Sequence, residues 1–148
     1  KWKMANRKLV IVYTLNQPVC DEEDLDVLTS EPSDLVMSEV SSNVVHDKVI
    51  WGIDTLIAPI ENEDDQIKDL QPDLVITIGG MIVSKKIKQY LRRFETKVHY
   101  HVGKRRAYDT FFTLAGLINA MSQNWVNQLL YDFIEMDYLN LLLQPFYN

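Results

Sequence analysis

The chain has 148 residues, 47% hydrophobic and 24% charged, with one cysteine and a formal net charge of −6 at pH 7. That size and balance predict one soluble domain with a real core, residues 1–148, and the acidic surplus argues against general nucleic-acid binding. Lone Cys20 excludes an internal disulfide and a multi-cysteine zinc site, and suits a reducing, cytoplasmic compartment.

The basic start, Lys1 to Lys8, precedes too short an apolar run to be a signal peptide. No run approaches the roughly 20 residues needed to cross a bilayer. A first residue other than Met suggests a piece of something longer. Leu9–Tyr13 is a β-branched run without alternation, which predicts a central parallel strand covered on both faces. Asp21–Thr29 reads as a short surface helix, Leu35–Ser38 as a second strand and Glu39–Asn43 as a polar loop at its carboxyl end.

Val44–Ile60 stays open between a helix capped by Asp47 and a short strand at Thr55–Ala58, with Pro59 ending either. Glu61–Leu70 predicts a short acidic helix with Ile67 and Leu70 on one face. Leu74–Ile78 predicts a buried strand, Gly79-Gly80 a tight turn, and Ser84–Arg93 a basic amphipathic helix. Lys97–Val102 alternates and predicts a strand near an edge. Leu114–Met121 and Asn124–Phe133 carry helical spacing. Strand–helix alternation predicts a three-layer α/β domain with a mostly parallel sheet. The tail, residues 134–148, is rich in Leu and aromatics; it either folds back on the domain or meets a missing neighbour.

Ligands of open α/β sheets sit beyond the strands' carboxyl ends, so Gly79, Gly80, Ser84 and Asn43 are crevice-lining candidates. Gly79-Gly80 lacks the third glycine and the following acid of a dinucleotide fingerprint, and the P-loop ending is absent, so a sharp turn explains it more simply. Lys85 and Lys86 occupy the first turn of a helix, where cations oppose the dipole and free N–H groups want acceptors. An anion docked there would resolve both; otherwise the lysines belong to a solvated face. His99 and His101 share one strand face but lack a third ligand, so no metal site is assigned. Cys20 has acidic neighbours and reads as inert. No nucleophile–base pair or catalytic carboxylate pair emerges, so no catalytic residue is assigned. Two classes remain: a free-standing Rossmann-like module binding a nucleotide or other anion, or part of a larger enzyme.

Asn6–Val12, Ile53–Pro59, Pro72–Lys88 and Arg106–Phe112 occur in an order that resembles the middle domain of a known family. These are the thiamine-diphosphate-dependent 2-succinyl-5-enolpyruvyl-6-hydroxy-3-cyclohexene-1-carboxylate synthases of menaquinone biosynthesis. The resemblance spans roughly residues 5–133 by the order of these motifs, and its most specific part is Pro72–Lys86. It implies a Rossmann-like central domain of a three-domain transferase, a homodimer or homotetramer, with residues 134–148 as an interdomain contact. The outer domains would bind thiamine diphosphate and Mg²⁺; this chain has neither the cofactor-activating glutamate nor Gly-Asp-Gly, and alone should be inactive. The whole enzyme would decarboxylate 2-oxoglutarate and add the succinyl unit to isochorismate. Substrate-carboxylate binding would fall on Lys85 and Lys86, where some family members carry arginine, a bidentate fork rather than a point charge. Tyr13 departs from the small residue, often glycine, expected at the end of the first strand.

Overall fold

The computed structural model describes residues 5–13, 20–93, 98–104, 106–119 and 126. Six strands, β1 (Lys8–Val12), β2 (Asp34–Ser38), β3 (Ile50–Trp51), β4 (Leu74–Ile78), β5 (Val98–Gly103) and β6 (Leu114–Asn119), form one sheet. Every pairing is parallel, in the order β3-β2-β1-β4-β5-β6. The helices are α1 (Glu22–Leu28), α2 (Ile53–Ile57), α3 (Asp64–Asp69) and α4 (Lys85–Arg93).

β1 and β4 are the two β-branched runs without alternation, and both are buried at every position in the middle of the sheet. Right-handed crossovers fix where the helices go. The β1-to-β2 step runs one way across the sheet and the β3-to-β4 and β4-to-β5 steps run the other, so their helices cover opposite faces. Leu25 and Leu28 of α1 pack with Val10, Val12, Val36, Ile76 and Ile78. Ile53, Ile57, Ile67, Ile87 and Leu91 of α2, α3 and α4 pack with Leu9, Ile11 and Val75. Odd and even strand positions thus feed two separate cores, giving three layers.

Several expectations change. The Val44–Ile60 stretch resolves into short β3, α2 and a 3₁₀ turn at Ala58–Ile60. Gly52, in left-handed backbone at φ 71°, precedes α2, so Asp47 is no cap; it sits in a turn stretch ahead of β3. Leu70 is exposed, and Ile67 alone anchors α3. β5 is internal, because the segment expected to be a helix from Leu114 is strand β6. Leu114, Leu117 and Ile118 do have helical spacing, but pairing with β5 supplies the backbone partners, with an irregularity where His99 and Tyr100 face Leu114 and Gly116. The helix expected at Asn124–Phe133, Val126 apart, and residues 134–148 lie outside the described residues.

Candidate functional site

The strand order reverses between β1 and β4, the switch point at which α/β sheets bind ligands. Two features work against a dinucleotide there. The amino end of α1, where a pyrophosphate would rest, carries Asp21, Glu22, Glu23 and Asp24, with Asp21 and Asp24 closed into a capping box. Tyr13 fills the end of β1 and is fully buried. Burial, and next the charge of Glu39, push the Tyr13 phenol well above its ordinary pKa.

On the β4 side, Gly79 turns the chain at φ 106°, a conformation that a side chain would strain, which is the turn role expected of it. The loop then runs to Ser84, whose hydroxyl oxygen accepts from Ile87 N at 3.2 Å, as an N-cap should. A carboxylate from within the chain meets the backbone just ahead of the first turn of α4. Glu39, directly after β2, reaches over the end of β1, and its Oε1 accepts from Val83 N at 3.1 Å and Ser84 N at 2.8 Å. The Ser84 hydroxyl donates in turn to Asp54 on α2. Lys86 is paired with Glu61. Lys85 is exposed and has no ion pair among the described residues.

These groups line an open groove of about 870 Å³ between the loop after β2, the start of α2 and the start of α4. Of the candidates, Ser84, Lys85 and Lys86 line it, whereas Gly79, Gly80 and Asn43 lie at the same end of the sheet but outside it. Glu39, Ser41 and Asp54 also line it. Reading the sequence missed Glu39 and Asp54, whose partners are 45 and 30 residues distant. One signal was available: a basic first turn with no acid of its own needs an anion from elsewhere. Exposed Val40 and Val83 give the groove an apolar rim.

His99 and His101 do share a face, but they serve the core. Thr77 Oγ1 lies 2.8 Å from both His99 Nε2 and His101 Nδ1. His99 is 1% exposed, and its Nδ1 has no hydrogen-bond partner among the described residues. Burial first, then the neighbouring His101, lower the His99 pKa to about 4, against a smaller upward pull from Asp109; burial lowers that of His101 as well. Gly103 makes room for this arrangement, since a Cβ there would stand 2.8 Å from His101 Nε2. Gly103→Ala should destabilise the fold by about 1–3 kcal/mol, read from its urea midpoint, because the imidazole is held by Thr77 and cannot swing aside freely. Burial, then Asp24 and Asp21, push the Cys20 thiol up to about 12, which leaves it inert as expected. Among the described residues no group of three or more His, Cys, Asp or Glu could hold a metal ion, and no helix is long and apolar enough to cross a membrane.

No family model matches the chain. Individual relatives do. The 2-succinyl-5-enolpyruvyl-6-hydroxy-3-cyclohexene-1-carboxylate synthase of Christiangramia forsetii is 42% identical over 117 residues, covering 77% of this chain and 20% of that enzyme. The synthases of the same name from Flavobacterium psychrophilum and Flavobacterium johnsoniae are 41% and 39% identical over 114 and 126 residues. These matches cover 77% and 84% of the chain. Over this segment the chain belongs to the family of these synthases. It spans about a fifth of the length of the synthases it matches.

Proposed function

We propose that the chain is the middle domain of a thiamine-diphosphate-dependent carboligase of menaquinone biosynthesis, forming one wall of the active site and presenting Lys85 to a substrate carboxylate. The observation that carries this reading is the placement of the two lysines. Both stand at the amino end of α4 on the groove, but Glu61 neutralises Lys86, so among the described residues that line it Lys85 is the cation left to meet an anion. The whole enzyme would join the succinyl unit of 2-oxoglutarate to isochorismate in the cytoplasm, and both substrates offer carboxylates to such a group.

The described residues do not fit thiamine diphosphate or Mg²⁺. The sequence has no Gly-Asp-Gly, and the described acids form no cluster suited to a metal ion. We therefore place the cofactor, and every bond-making step, on domains outside this chain, and expect these 148 residues alone to show no carboligase turnover.

In the whole synthase, Lys85→Ala should raise KM for one of the two substrates about 10- to 100-fold, the loss of about 1.4–2.8 kcal/mol of binding. Affinity for thiamine diphosphate should not change. Lys86→Ala should stay within about threefold, because an ammonium already held by a half-exposed carboxylate contributes little more. Wild-type steady-state kinetics in Lys85→Ala would remove Lys85 from the site.

A further inference from the structure

Glu39 is 9% exposed, and one of its carboxylate oxygens takes both backbone N–H groups that immediately precede Lys85. Bonds from backbone N–H groups to an ionised acceptor are the strong kind, and two on one oxygen fix the course of the chain there. α4 has no acid in its own first turn. The other oxygen, Oε2, is buried with no hydrogen-bond partner among the described residues. As a device for stability this is poor, since a buried, half-satisfied carboxylate carries an uncompensated desolvation penalty, and Ser84 already caps the helix.

We propose that Glu39 is a positioning residue: by gripping the backbone at Val83 and Ser84 it sets the direction in which Lys85 enters the groove. Asp54 steadies the Ser84 side chain, and Glu39 steadies the main chain. The inference rests on the reading of Lys85 as a substrate contact. It also has a sign. The Glu39 charge lies on the groove that receives an anion and opposes it, so its value is in its reach and not in its charge.

Two conservative variants of the whole synthase separate these properties. Glu39→Gln keeps the acceptor oxygen and removes the charge; Glu39→Asp keeps the charge and withdraws the oxygen by one methylene. For the substrate whose KM rises in Lys85→Ala, Glu39→Gln should leave KM equal to wild type or lower, and Glu39→Asp should raise it at least about fivefold with kcat within twofold. Hydrogen exchange at the Val83 and Ser84 amides, a readout independent of activity, should be slow in wild type and Glu39→Gln and at least about tenfold faster in Glu39→Asp. Unprotected amides in wild type would overturn the grip itself. A normal KM in Glu39→Asp alongside an impaired Lys85→Ala would overturn the positioning role alone. Impairment in Glu39→Gln with normal kinetics in Glu39→Asp would show that charge, not position, matters. Normal kinetics in Lys85→Ala would instead overturn the reading on which this one rests.

Discussion

Acidification from pH 6.5 to about pH 4 should lower the stability of this fold by about 3 kcal/mol, through His99. The folded pKa is depressed from 6.5 to about 4, so the folded state resists a proton that the unfolded chain accepts. Stability is therefore full above the unfolded pKa and is lost as pH falls through the window between the two values, at about 1.4 kcal/mol per unit. His101 is shifted in the same direction and deepens the loss. The hydrogen bonds explain why neither ring accepts the proton easily. A partnerless buried lone pair is less unfavourable than a partnerless buried N–H, so His99 carries its proton on Nε2 and donates it to Thr77. The Thr77 hydroxyl then donates to His101 Nδ1. A further proton lands either on His99 Nδ1, which faces no acceptor among the described residues, or on His101 Nδ1, where it confronts the threonine proton. Asp24 works the other way, because burial raises its carboxyl pKa and acid favours that folded form. Urea melts at a series of pH values give the slope. A flat profile between pH 6.5 and 4, or an imidazole that titrates near 6.5 by NMR, would contradict the account.

Thr77→Val should destabilise the domain by about 2–6 kcal/mol, although the side chain keeps its shape. The hydroxyl is the common partner of two buried imidazoles, and its loss orphans a nitrogen on each, at about 1–3 kcal/mol apiece. Thr77→Ser, which keeps the hydroxyl, should recover most of the loss in the same urea measurement. If Thr77→Val proved neutral, the threonine would be filling space, with its hydrogen bonds of no net consequence.

How far the sequence could be read depended on the distance over which each feature is decided. β1 and β4 were legible because a β-branched run with no polar face has few places to go except the middle of a parallel sheet. The Ser84 cap was legible because its partner, Ile87, is three residues away. β6 was not, since Leu114, Leu117 and Ile118 fit a helix equally well and the partners that decide the matter belong to β5. α2 was ambiguous because its five residues are too few for a period to show. At the site, the lysines at the start of α4 could be read, but not the carboxylate that holds the backbone before them. Glu39 looked like the first residue of a polar loop, and only the strand order brings it over β1 to the start of α4.

That crossing determines more than the aim of one lysine. β2 and β4 belong to the two halves of a sheet wound in opposite directions from β1, and the Glu39 bonds join those halves at the mouth, with the phenol of Tyr13 buried at the end of β1 beside them. A carboxylate bonded across the switch point resists separation of the two halves. Val40 and Val83 stand exposed at the groove, and Ser38 at the end of β2 lines it together with Lys85. The two halves of the sheet thus border one groove through a single carboxylate tether.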